Sequence, residues 1–265
     1  WKLKDITSLK AITAGLAGNP SSYKGKLYLD NVVLKDTSTK TETPEPEEPT
    51  TPVNEEVFYE NNFDTVEKLE DVVNINDSLG SAFKDGDNNV IASIAELNKD
   101  NKAIKLTADV STTNAWQDIF KIVIDLKDKE FTKTISEKVV MSYDLYFPAD
   151  SVGENFGTMS AIGSLKSGEN WTWITEKNGV PFGAEQWAET SDVGGYKVFH
   201  AEINMNDFKT WNQEENKDED FGFEGITPIK SVIPSLGISD GTYNGDIYLD
   251  NLKVKAVGVT ADGGN

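Results

Sequence analysis

One phrase occurs near both ends of the chain: GKLYLDNVVLK at residues 25–35 and GDIYLDNLKVK at 245–255. It belongs to a longer match. Shifted by 220 positions, residues 5–35 fall on 225–255 without a gap, and 11 of the 31 positions are identical: Ile6/Ile226, Thr7/Thr227, Lys10/Lys230, Leu16/Leu236, Tyr23/Tyr243, Gly25/Gly245, Tyr28/Tyr248, Leu29/Leu249, Asp30/Asp250, Asn31/Asn251 and Lys35/Lys255. Internal repetition constrains a fold before any local signal does, because each copy must form one structural unit. Residues 1–36 therefore read as the end of an upstream module, and residues 57–256 as a complete second copy followed by a tail, 257–265. Between them lies TSTKTETPEPEEPTTPVNEE, residues 37–56. Its prolines and near lack of apolar side chains make it a semi-stiff, extended linker.

Within 57–256 the pattern is one of strands. KAIKLTADV alternates strictly, with Ile104, Leu106, Ala108 and Val110 on one side. KVVMSYDLYF does the same with Val139, Met141, Tyr143, Leu145 and Phe147. FKIVIDL, NWTWI, KVFHAEINM, KSVIPSLGI and DIYLDNLKVK add further strands, separated by Gly, Asn and Asp clusters. Period-two runs of this kind predict half-buried antiparallel strands. Eight to ten strands give an all-β chain, an antiparallel two-sheet β-sandwich of jelly-roll, galactose-binding-like type. Helix is confined to a turn or two near TVEKLEDV and NDFKTW.

Charge and composition remove several function classes. With 25 basic against 45 acidic residues, the net charge is −20. Such a chain is repelled by phosphate backbones and by anionic membrane surfaces, so neither nucleic acid nor membrane is an expected partner. It has no cysteine, which excludes disulfides, thiolate metal sites and cysteine nucleophiles. Its single histidine, His200, cannot build a Ser-His-Asp triad or a histidine zinc site. Among so many carboxylates, a pair suited to glycoside hydrolysis can be drawn anywhere, so no catalytic residue is assigned.

Two constellations remain. The segment NNFDTVEKLED opens the module and YLDN closes it. First and last strands of a sandwich commonly lie side by side, which brings Asn62 or Asp64 near Asp250. A carboxylate facing inward from a strand costs several kcal/mol unless paired or metal-bound. Calcium, with six to eight oxygen ligands and loose geometry, resolves that cost. The alternative is that Asp250 caps a turn or accepts backbone amides. The second constellation is aromatic: Trp116, Trp171, Trp173 and Trp187 lie among polar neighbours, including Gln117, Asp118 and Asn170. Flat indole faces ringed by amides and carboxylates suit pyranose rings, although a tryptophan in a β-sandwich is often simply core.

The phrases NAWQDIFKIVIDL, VVMSYDLYFP, GENWTWI, GGYKVFHAEI and YNGDIYLDNLKVK, in this order over 57–256, resemble the family 27 carbohydrate-binding modules, mannan-binding β-sandwiches attached to bacterial β-mannanases. The resemblance implies a non-catalytic module that binds β-1,4-mannan or glucomannan and carries a structural calcium. Trp116 and Trp171 match the sugar-stacking positions, and Asn62, Asp64 and Asp250 the calcium region. It further implies a secreted polysaccharide-degrading protein with a covalently linked catalytic domain. The family pattern calls for another stacking tryptophan soon after the first strand, yet VEKLEDVVNINDSLG, residues 66–80, has none; Trp173 or Trp187 is the substitute. Competing expectations are a structural surface module rigidified by calcium and a catalytic polysaccharide-degrading domain.

Overall fold

The computed structural model describes residues 54–260 apart from 154–155, 168–171, 176–178, 184–193, 206–208, 213–214, 216 and 221–227. All described residues belong to the unit Pro49–Asn265. The upstream repeat at 1–36, most of the linker and the last five residues lie outside them.

The strands in chain order are β1 (Glu55–Asn61), β2 (Ser93–Asn98), β3 (Asn101–Thr112), β4 (Gln117–Lys121), β5 (Ile124–Asp125), β6 (Thr134–Pro148), β7 (Thr158–Ser167), β8 (Thr172–Thr175), β9 (Val180–Phe182), β10 (Tyr196–Met205), β11 (Lys209–Asn212), β12 (Lys217–Asp220) and β13 (Ile229–Thr260). Helix among the described residues amounts to three 3-10 turns, Leu69–Asp71, Lys127–Lys129 and Ala149–Ser151. The first falls inside TVEKLEDV as expected. The second expected helical stretch does not hold where it is described, since Lys209–Asn212 pairs as a strand with β8 and β12.

β13 is the backbone of the whole architecture. KSVIPSLGI and DIYLDNLKVK, expected as two strands, form one continuous strand that serves both sheets. Its first half pairs with β4 and β5 on one edge and β7 on the other. Its second half pairs with β3, β1 and β6, and β10 extends β6. The change of sheet comes at Gly241, whose φ of 101° is a left-handed value that side-chain-bearing residues rarely adopt. All described pairings between named strands are antiparallel, and the architecture is a β-sandwich.

The inner faces meet as the alternation predicts. Val139, Met141, Tyr143, Leu145 and Phe147 are completely buried, as are Ile104 and Leu106. Tyr143 crosses the core so that its hydroxyl donates to the carbonyl of Ser235 at 2.7 Å, with the Ile162 carbonyl at 3.1 Å. Burial pushes that phenol far above its ordinary pKa, so it stays protonated as a donor. The sheets approach so closely beside it that a Cβ on Gly163 would lie 3.2 Å from Met141 Sδ. β1 lies antiparallel on β13, with Asn61 opposite Leu252. The two ends of the module are therefore adjacent in space.

Candidate functional site

The outer face of the β4–β13–β7 sheet carries an exposed indole. Trp116 precedes β4 and is 49% exposed although it is a large apolar side chain. Two features hold it. Its Nε1 donates to Asp118 Oδ1 at 2.8 Å, and Asp118 Oδ2 pairs with Lys121 Nζ at 2.8 Å. Beneath the ring lies Gly237 of β13, opposite Asp118 in register. A Cβ on Gly237 would fall within the Trp116 ring, against Cζ2, Cη2 and Cε2. Gly237 has no left-handed φ, so space rather than backbone freedom calls for glycine there. The indole thus rests on bare backbone, anchored at its nitrogen and open to solvent. Gln117 follows it as the first residue of β4 and is half-buried.

A second apolar side chain marks the edge of the same face: Leu79, 51% exposed, bridges antiparallel to Lys121. Further along the face, cover replaces exposure. Ser231, Ile233 and Ser235 alternate with the core residues Val232 and Leu236, yet all are buried. Ile122 and Val123 interrupt FKIVIDL, expected as one strand, because Val123 donates its N–H to Ser78 Oγ and accepts from Asn74 N. The segment 74–79 therefore docks along this edge.

The other constellation lies on the second half of β13, on the β3–β13–β6 sheet. Asp250 is fully buried. It does not face the core between the sheets: it alternates with the core residue Leu249 and stands opposite Asp144 of β6. Its Oδ1 accepts the Asn251 N–H at 2.7 Å and its Oδ2 the Asn101 side-chain amide at 3.1 Å. The expected alternative to calcium, that Asp250 accepts a backbone amide, is met at Asn251. Asn101 Oδ1 is buried and has no hydrogen-bond partner, a condition that costs about 1–3 kcal/mol for a neutral group. Burial raises the Asp250 carboxyl above its usual range, Asn251 and Asn101 oppose this, and the charges of Asp64 and Asp144 add to it. Burial, with the charges of Asp144 and Asp250 adding to it, pushes Tyr146 up to about 12.

Asp64 accepts the Lys102 N–H at 3.1 Å and the Asn62 amide at 2.6 Å. Asn62 thus braces Asp64 and uses its own carbonyl oxygen on the Asp64 N–H. Asp144 is spoken for on both oxygens, by His200 Nδ1 at 2.6 Å and the Asn251 amide at 2.8 Å. Among the described residues no group of three or more His, Asp or Glu side chains is arranged to hold a metal. Asp64 and Asp250 likewise accept on both oxygens, so the oxygen of this cluster left without a partner is Asn101 Oδ1. Hard oxygen donors of mixed type, amide carbonyl included, are what calcium takes.

Of the other expected site residues, Trp171 and Trp187 lie outside the described residues. Trp173 is described by its backbone, at the β8 position paired with Lys166 of β7. Sequence reasoning missed Asp118 as the indole's anchor, Gly237 as its floor, Leu79, and Asn101. The first carried a signal, a carboxylate two residues after a polar-flanked tryptophan; the others are tied to their sites only by pairing across the fold.

No protein-family description and no curated protein matches this chain. Among solved structures, it is similar to a mannan-recognising carbohydrate-binding module of family 27, at 17% identity and TM-score 0.46, covering 77% of this chain and 98% of that one. It is similar also to a family 28 module specific for non-crystalline cellulose, at 14% identity and TM-score 0.42, covering 61% and 79%. A third is a family 22 xylan-binding domain from Paenibacillus barcinonensis, at 11% identity and TM-score 0.38, covering 78% and 97%. Identities and scores this low transfer no ligand. Among the described residues no helix is long and apolar enough to cross a membrane.

Proposed function

We propose that this module is a non-catalytic carbohydrate-binding domain that takes β-1,4-linked mannan or glucomannan chains on the outer face of the β4–β13–β7 sheet. The observation that carries the reading is the Trp116 platform, a half-exposed indole fixed by Asp118 on the bare backbone of Gly237. An indole fixed before binding loses little entropy on contact, so the apolar face of a pyranose gains its full stacking energy. Gln117 beside it supplies amide donors and acceptors for hydroxyls. Trp171, Trp173 and Trp187 are the further stacking residues of this reading.

The same reading places a structural calcium at Asp250, Asn101 and Asp64, with Asn62 orienting Asp64. The ion neutralises the buried carboxylate and satisfies Asn101 Oδ1. A covalently linked polysaccharide-degrading catalytic domain, two tethered copies of the module and extracellular placement complete it; tethering raises avidity on a polymer without new contacts.

Affinity gel electrophoresis tests it. Retardation of the wild-type chain by glucomannan, and its loss in Trp116→Ala with the fold intact, is the expected result. Absence of retardation in glucomannan, galactomannan, xylan and hydroxyethylcellulose gels would favour a purely structural, calcium-stabilised module, for which the Asp250 site is the specific support. Release of reducing sugar from any of these polymers would instead identify a catalytic domain.

A further inference from the structure

The face that carries Trp116 extends past β4. Residues 78–82 add themselves to the edge of β4 that faces away from β13. Leu79 and Lys121 exchange both backbone hydrogen bonds, at 3.0 and 2.9 Å, so their side chains stand on one face of the sheet. Ala82 donates its N–H to the Ile119 carbonyl at 2.9 Å, and Ser78 Oγ accepts the Val123 N–H at 2.9 Å. Between them Gly80 runs so close to β4 that a Cβ there would collide with the Ile119 carbonyl oxygen and with Phe120 Cα. Ser78, Ala82 and Phe83 are buried, whereas Leu79 is 51% exposed. Its backbone is fixed at both polar groups while its side chain is left half in water.

The indole is held on that same face. Lys121 lies opposite Ser235 of β13, and Asp118 opposite Gly237. The Lys121 ammonium and the Asp118 carboxylate meet at 2.8 Å, so their side chains share the face, and each is 34% exposed. Trp116 rests over Gly237. Leu79 stands two strands from it, roughly 10 Å across the sheet and about 7 Å along it. That separation exceeds one pyranose ring. The Asp118–Lys121 pair fills the interval, and an ammonium carries three donors, more than Asp118 alone takes up. A single exposed leucine is ordinary and calls for no ligand. Two fixed apolar side chains on one face, either side of an ion pair, form a track.

We propose that Leu79 is the second contact of the Trp116 site, and that a bound glycan leaves the indole across β4 with a later sugar ring packed on the leucine. This rests on the glycan-binding reading above and adds the direction of the chain on the surface and a minimum length for full affinity. The apolar C–H face of the distal sugar covers the leucine methyl groups, which takes apolar surface out of water on both partners. Units between the two contacts place their hydroxyls over Asp118 and Lys121. A short chain engages the indole alone; a longer one engages both.

The test is calorimetric titration of the full chain with mannobiose and with mannohexaose. In Leu79→Ala the affinity for mannohexaose falls about fivefold, while that for mannobiose stays within about twofold of the wild type. Leu79→Trp, which puts a larger flat face at the same place, raises the mannohexaose affinity by a similar factor. Unchanged mannohexaose affinity in a folded Leu79→Ala chain would overturn the proposal and leave the glycan reading standing. Equal losses for the two ligands would also overturn it, because Leu79 would then act through the indole. If Leu79→Ala unfolds, Leu79→Trp decides: a gain for mannohexaose supports the second contact, and no gain overturns it. A wild type that binds neither ligand removes the glycan reading itself and the second contact with it.

Discussion

Trp116 and Asp250 break opposite rules. One is a large apolar side chain left half in water; the other is a carboxylate taken fully out of it. Both sit on outer faces of the sandwich, one on each sheet, and both touch β13 or belong to it. Their surroundings differ in a telling way. Trp116 is over-determined: a hydrogen bond fixes its nitrogen, and a glycine clears the space below it. Asp250 is under-satisfied: its neighbour Asn101 keeps a buried oxygen without a partner, and nearby carboxylates oppose its ionisation. A group held rigid and exposed is arranged to meet a ligand that comes and goes. A group buried with unmet polar demand is arranged for something resident.

The largest expected effect lies at the resident site. Calcium at about a hundred times its Kd is worth about 2.7 kcal/mol, or about 5–10 °C in Tm for a domain of this size. Thermal melts with calcium and with chelator should differ by that much in the wild type and not at all in Asp250→Ala. Glycan affinity should stay within about twofold throughout, which keeps the two sites separate. The next effect is Trp116→Ala, expected to weaken glycan binding more than tenfold, a loss above about 1.4 kcal/mol, with Tm and calcium response unchanged. Gly237→Ala sharpens the comparison further. It keeps the indole but puts a methyl group where the ring lies, so affinity should fall between threefold and tenfold by calorimetry. Asp118→Ala removes one hydrogen bond to the indole, worth about 1 kcal/mol, and should weaken binding about fivefold.

The smallest effect is on pH. In chelator the folded state holds the Asp250 proton more tightly than the unfolded chain does. Stability from this group therefore rises as pH falls from neutral through its raised pKa, and levels off below the ordinary aspartate value. With calcium bound the charged form is the favoured one, and acidification should lower Tm by displacing the ion. Melts from pH 7 to pH 4 with and without calcium should show slopes of opposite sign from this site.

Much of this was written locally. β3 and β6 were legible because one face is buried and the other is not, which leaves strict alternation in the sequence. Asp250 stood out through its repeat partner Asp30, and Trp116 through its polar flanks. β13 was not legible as one strand. Pro234, Gly237, Gly241 and Gly245 look like punctuation, whereas here they mark an indole's floor and a strand that changes sheets. FKIVIDL was misjudged for the converse reason: it is apolar throughout, and only the docking of Asn74 and Ser78 on Val123 shows that its ladder is broken. The contact between Asp77 and Lys166 had no sequence signal either, because the two lie 89 residues apart and each resembles an ordinary surface charge.

The claim on which the account turns is that the fixed indole is a glycan platform. Affinity electrophoresis of the wild type and Trp116→Ala through glucomannan, with calcium present, tests it most directly. Retardation of the wild type and free migration of a folded Trp116→Ala chain is the predicted result. Equal retardation of the two proteins would contradict it and place the binding surface elsewhere on the molecule.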